Sequence, residues 1–198
     1  MKKMLRNQKG FSLVELLIVI AIMGVLAALA FSMFAGILGN SRRRADERTA
    51  DQIAKALTFY IVESGDTELE ILSGTSADYT VSFEEVDGSP AGTVPNVSVG
   101  PSETPSQELV KALQYVIAVE NNTTNRIIKY GPYLTPKEGS KIGWENYAPT
   151  WSGHLAGYSI IVFSDLQKAD VVPVPENLAT GVQDSVGDSL ICEVKLAP

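Results

Sequence analysis

An α+β fold, one long N-terminal helix laid on an antiparallel sheet, is predicted for this 198-residue chain by three observations. Between residues 11 and 39 the only ionisable side chain is Glu15. No proline occurs before Pro90, so nothing interrupts a helix that starts near residue 11 and carries a three-and-four apolar spacing on to Glu63. From Gly65 onward the pattern changes to short alternating segments separated by glycine- and proline-rich turns, the signature of strands.

Composition limits what the rest of the chain can be. With 45% hydrophobic residues, the part beyond the first forty residues is enough for one modest globular domain with its own core. The single cysteine, Cys192, excludes an intramolecular disulfide and reads as a small buried residue of a strand at 189–196. Charge is unevenly placed. Lys2, Lys3, Arg6 and Lys9 make the first ten residues basic, whereas from Gly65 onward 7 basic residues face 18 acidic ones. An acidic head of this kind offers no extended phosphate-binding surface, so nucleic acid is not an expected partner.

The apolar segment comes first in the chain and is the most specific. Its 29 residues span about 43 Å as a helix, more than a hydrocarbon core of about 30 Å requires. Orientation by charge is a tie, because the four leader cations are matched by Arg42, Arg43, Arg44 and Arg48 at the other end. Three readings of the segment are open on these grounds. It can be a secretory signal cut after Ala30, a plain membrane anchor, or a segment in which Glu15 has a task. A carboxylate inside a membrane-length helix costs on the order of 2.5–3.5 kcal/mol on insertion scales, so it is read as functional, with a partner to be named.

The run Lys9-Gly10-Phe11-Ser12-Leu13-Val14-Glu15-Leu16-Leu17-Ile18-Val19-Ile20-Ala21-Ile22 resembles the class III signal of type IV pilins and of the pilin-like subunits of type II secretion and competence systems. Gly10, Phe11, Glu15 as the fifth residue after the cut, and Gly24 carry the likeness, which covers about the first forty residues. The resemblance implies a type IV pilin fold and cleavage between Gly10 and Phe11 by a membrane prepilin peptidase, which also methylates the Phe11 amine. It implies a single-pass cell-membrane location with the head outward before assembly, and an extracellular pilus or envelope-spanning fibre afterwards. Its partners would be other copies of the chain, related pilins and the pilus assembly machinery. Glu15 is then expected to attract the Phe11 amine of an incoming neighbour, a pairing within one chain being the alternative. The domains expected are a leader at 1–10, a transmembrane and filament-core helix at 11–39, its amphipathic continuation at 40–64 and a globular head at 65–198. A structural pilin is the first reading. A pseudopilin of a secretion or competence system, or a minor pilin or adhesin whose head binds a surface, is the alternative, and adhesion, twitching motility and secretion are the associated activities. Many pilins have a proline where this chain has Ser32, which leaves open whether the helix unwinds between Gly24 and Ser32.

In the second half of the helix, Ala45, Thr49, Ile53, Ala56, Leu57, Tyr60 and Ile61 form a stripe suited to packing on a sheet. Asp46, Glu47, Arg48, Asp51 and Lys55 are expected on the opposite, solvated face. Arg42, Arg43 and Arg44 read either as a collar touching phosphate headgroups or acidic neighbours, or as a solvated one. Residues 79–86 alternate as a strand turned by Asp87-Gly88-Ser89-Pro90. Thr104-Pro105-Ser106-Gln107 opens a helix to about residue 119, with Leu109, Leu113, Val116 and Ile117 inward. Residues 126–130, 157–163 and 189–196 are further strands.

Chemistry is sparse. His154 is the only histidine and has no nucleophile motif near it, and no spacing suggests a metal cluster, a phosphate loop or a pair of catalytic carboxylates, so neither an enzyme nor a cofactor is expected. The loop holding Trp144, Tyr147, Trp151 and His154 is a candidate platform for a sugar or a surface, against the plainer reading that its aromatics pin the loop. Asp165, Asp170, Asp184 and Asp188 crowd the C-terminal loops, where some secretion pseudopilins bind calcium, although their spacing is not that of an EF-hand.

Overall fold

A computed structural model describes residues 12–92, 94–97, 105–137, 141–154, 157–174 and 194–197. Contacts divide the chain into two units, Met1–Ser41 and Arg42–Pro198. Helix α1, Leu13–Ser64, supplies the described part of the first unit and the central helix of the second. The absence of proline permits that length, and Gly65 ends it. Its φ of 76° is the left-handed conformation that glycine adopts without strain, and its N–H bonds the Ile61 carbonyl at 2.9 Å.

In the second unit α1 buries Ala50, Ile53, Ala56, Leu57, Tyr60 and Ile61. Six strands follow among the described residues: β1 Tyr79–Glu84, β2 Val116–Asn121, β3 Arg126–Tyr130, β4 Gly157–Phe163, β5 Lys168–Val174 and β6 Val194–Ala197. Helix α2, Pro105–Ala112, precedes β2, and a short 3-10 turn, Trp144–Asn146, precedes β4. A long N-terminal helix with antiparallel strands is the expected α+β architecture, and it is consistent with the type IV pilin fold.

Besides β5, which the sequence reading did not give as a strand, three details depart from it. The strands form two sheets, ordered β1-β2-β3 and β5-β4-β6, and β6 runs parallel to β4 with Ile160 opposite Val194. A tight turn joins β4 to β5 as an antiparallel hairpin, whereas the 19 residues between β5 and β6 are a connection long enough for a parallel return. Second, α2 ends at Ala112 and residues 116–119 are strand rather than helix. Leu109, Leu113 and Ile117 are all buried, as the stripe required. Their spacing of four is even, so it fits a helix and a strand alike, and the β-branched Val116, Ile117 and Val119 favour the strand. Buried Gln114 fixes the break, with its amide nitrogen on the Val110 and Gly143 carbonyls and its oxygen accepting from Asn146.

The third departure is Asp46, which is buried while Glu47, Arg48, Asp51 and Lys55 are exposed as expected. It stands seven residues, two helical turns, before Ile53, which places it on the core stripe. Ala45, expected inward, is exposed, so the buried face is rotated by one position at this end.

Where α1 ends, the Tyr60 hydroxyl donates to Asp66 Oδ2 at 2.8 Å, and the Leu72 N–H reaches the same oxygen at 3.0 Å. Tyr130 and Tyr133 meet the Tyr60 ring edge-on at 6.4 and 6.0 Å. Burial, followed by the Asp66 charge and hydrogen bond, pushes the Tyr60 hydroxyl far above its ordinary value of 10.0. A raised tyrosine pKa contributes stability that is complete below the unfolded value near 10 and is lost as pH rises beyond it. Tyr60→Phe should therefore cost about 1–2 kcal/mol at neutral pH and weaken the loss of stability between pH ~10 and ~12. Urea unfolding of the full chain in detergent across that range measures both, and an unchanged alkaline slope would show that Tyr60 does not govern it.

Candidate functional site: the start of the long helix

Leu13 is the first helical residue of α1, which makes Ser12 its N-cap and Glu15 its third position. Glu15 Oε2 accepts the backbone N–H of Ser12 at 3.0 Å, and Leu16 N–H bonds the Ser12 carbonyl at 3.2 Å. This Ser-x-x-Glu arrangement is the acidic half of a capping box, in which the third side chain satisfies a donor that the helix itself cannot. It also puts a negative charge at the positive end of the helix dipole. From there to Leu38 every large apolar side chain of α1 is between 52% and 79% exposed. Gly24 lies in this stretch, and a Cβ added to it would meet nothing within 4 Å. The helix is long and apolar enough to cross a membrane by length and composition. Its apolar surface goes all the way round, unlike the one-sided stripe of a helix lying on a soluble core.

Residues 5–31 match the family described as the prokaryotic N-terminal methylation motif. The chain has a prepilin-type N-terminus. No curated protein and no solved structure is significantly similar to it. The match spans Gly10, Phe11, Glu15 and Gly24, the four residues on which the resemblance rested. A prepilin signal implies processing by a prepilin peptidase and pilin-type assembly, and together with the apolar helix it implies membrane anchoring before assembly. Gly10 and Phe11 themselves lie outside the described residues.

In the second unit, the most constrained polar group is one the sequence reading put on the surface. Asp46 is 2% exposed. Its Oδ1 accepts the Thr150 N–H at 2.8 Å and the Thr150 hydroxyl at 3.0 Å, while Oδ2 accepts the Trp151 N–H at 3.0 Å and faces His154 Nδ1 at 3.2 Å. The carboxylate thus clasps the 150–154 loop to α1 through four contacts. His154 is 5% exposed and meets the Trp151 ring edge-on at 4.6 Å, with the Arg43 guanidinium 5.9 Å from the same ring.

The other aromatic candidates are tied down separately. Trp144 packs edge-on against Tyr158 at 5.7 Å, and the half-buried Tyr147 donates its hydroxyl to the Thr135 carbonyl at 2.7 Å. The Tyr158 hydroxyl, which donates to the Tyr147 carbonyl, is pushed above its ordinary value by burial and then by the nearby Asp46 charge. Trp144, Tyr147 and Trp151 are all half-buried, and the ring contacts form two separate pairs, Trp144–Tyr158 and Trp151–His154.

Asp165 is exposed in the β4–β5 turn and Asp170 is exposed on β5, while Asp184 and Asp188 lie outside the described residues. Among the described residues, no group of three or more His, Cys, Asp or Glu side chains is placed to hold a metal ion.

Sequence reasoning missed Asp46, and its seven-residue offset from Ile53 was the signal available. Removing the carboxylate strands buried His154, at roughly 1–3 kcal/mol for a buried group left unpaired, and frees the part-buried backbone donors of Thr150 and Trp151 as well. Asp46→Ala should therefore lower head stability by about 3 kcal/mol or more, against less than about 0.5 kcal/mol for the exposed Asp51→Ala. Urea unfolding gives the difference. Faster amide hydrogen exchange at Trp151 in Asp46→Ala would locate the loss in the clasp.

Proposed function

We propose that this chain is a structural subunit of a type IV pilus, cut between Gly10 and Phe11, methylated on Phe11 and polymerised through the apolar half of α1. The observation that carries the reading is a prepilin motif on a helix whose apolar side chains are exposed on every face from Leu13 to Leu38. Such a surface needs lipid before assembly and neighbouring helices after it. Glu15 supports placement within the fibre body, because a carboxylate among apolar helices selects the register in which it meets a cation. The new Phe11 ammonium of another copy is such a cation. The head, acidic in composition, is a structural domain in this reading.

Sequencing the mature protein from its N-terminus tests the processing. A methylated Phe11 start is expected, whereas a Phe31 start would identify a secreted soluble protein and an intact Met1 a plain anchor. The capping contact provides a sharper test of Glu15, because glutamine can also fill the third position of a capping box but carries no charge. Glu15→Gln and Glu15→Ala should both be cut at Gly10, and both should be strongly depleted from sheared fibres. Normal fibres from Glu15→Gln with few from Glu15→Ala would assign Glu15 to starting the helix and remove its role in docking.

A further inference from the structure

The arginines that follow the apolar segment are left unbalanced by the way the head folds. Arg42, Arg43, Arg44 and Arg48 are all exposed. Two acids lie among them in sequence, and neither is available to the rest. Asp46 is turned inward and occupied by the 150–154 loop, and Glu47 pairs with Arg43 at 3.2 Å. Among the described residues no acidic side chain forms an ion pair with Arg42, Arg44 or Arg48. Arg44 and Arg48, four apart on the helix, repel one another, an arrangement that costs a few tenths of a kcal/mol when nothing compensates it.

This cationic patch stands in a chain that is otherwise acidic, with 7 basic and 18 acidic residues from Gly65 onward. Its position is specific as well. In the sequence Arg42, Arg43 and Arg44 follow Leu38, the last large apolar residue of the run, by four to six positions, where long basic side chains reach a headgroup layer. Trp151, half-buried beneath Arg43, adds an aromatic ring with one apolar and one polar edge, the kind enriched at membrane interfaces.

We propose that Arg42, Arg44 and Arg48, with the Arg43–Trp151 pair beside them, form a collar that binds the anionic phospholipid headgroups around the anchored subunit. The proposal rests on the reading that the apolar segment is membrane-embedded before assembly. A surface of anionic lipid supplies the missing counter-charges, and each cation held there gains on the order of fivefold in affinity.

The test uses the full chain reconstituted into phosphatidylcholine vesicles with and without phosphatidylglycerol, with phenylglyoxal modification of each arginine followed by peptide mass spectrometry. Arg42, Arg44 and Arg48 should react about fivefold more slowly in the phosphatidylglycerol vesicles, and high salt should abolish the difference. Arg126, exposed on β3, should react equally in both. Equal rates for the collar arginines in the two lipids would overturn the proposal. So would protection that appears in phosphatidylcholine alone as protein density rises, which would assign the collar to a second copy of the chain. Alkaline extraction of the same vesicles separates the two levels. A chain washed out of both lipids removes the membrane reading itself, while a retained chain with equal rates removes only the collar.

Discussion

The apolar surface of α1 between Leu13 and Leu38 has no cover within the described chain, and most other features of the molecule follow from that constraint. Burial of apolar area contributes about 25 cal/mol per Å², so a helix exposed on every face carries a large unspent driving force for lipid or for other helices. Only a few polar groups are tolerated there, and Glu15 is kept where it satisfies a backbone donor and the helix dipole together. What the segment lacks in internal contacts it makes up in availability for assembly.

The same helix changes character in the second unit, where one face is buried and the others are wet. Ala50, Ile53, Leu57 and Ile61 supply ordinary core packing, while polar anchors sit at the two ends of that stretch. At one end Asp46 holds the 150–154 loop, and at the other Tyr60 and Asp66 hold the turn that leads to buried Leu69 and Leu72. Both anchors are buried acceptors with several donors aimed at them, which fixes loop conformation more sharply than apolar contact does.

Much of the architecture was legible in the sequence. The helix bounds, β3 and β4 follow from periodicity and punctuation, which are local properties of the chain. The end of α2 was misplaced because Leu109, Leu113 and Ile117 are spaced by an even number and cannot separate a helix from a strand. The two-sheet arrangement and the parallel β6 depend on where a long connection returns, which no local pattern encodes. Of the candidate site, the prepilin signal was readable because it is a linear motif. The Asp46 clasp was not, since its partners lie more than a hundred residues away and an aspartate beside Glu47 and Arg48 looks solvated.

The capping contact has a bearing on processing. Ser12 and Glu15 both follow the proposed cut between Gly10 and Phe11, and the donated N–H belongs to the Phe11–Ser12 peptide, which that cut would leave intact. Every group that forms this contact is therefore retained on the proposed cut. On the proposed processing, the cut removes no group of the capping contact, and what it adds beside that contact is a terminal charge.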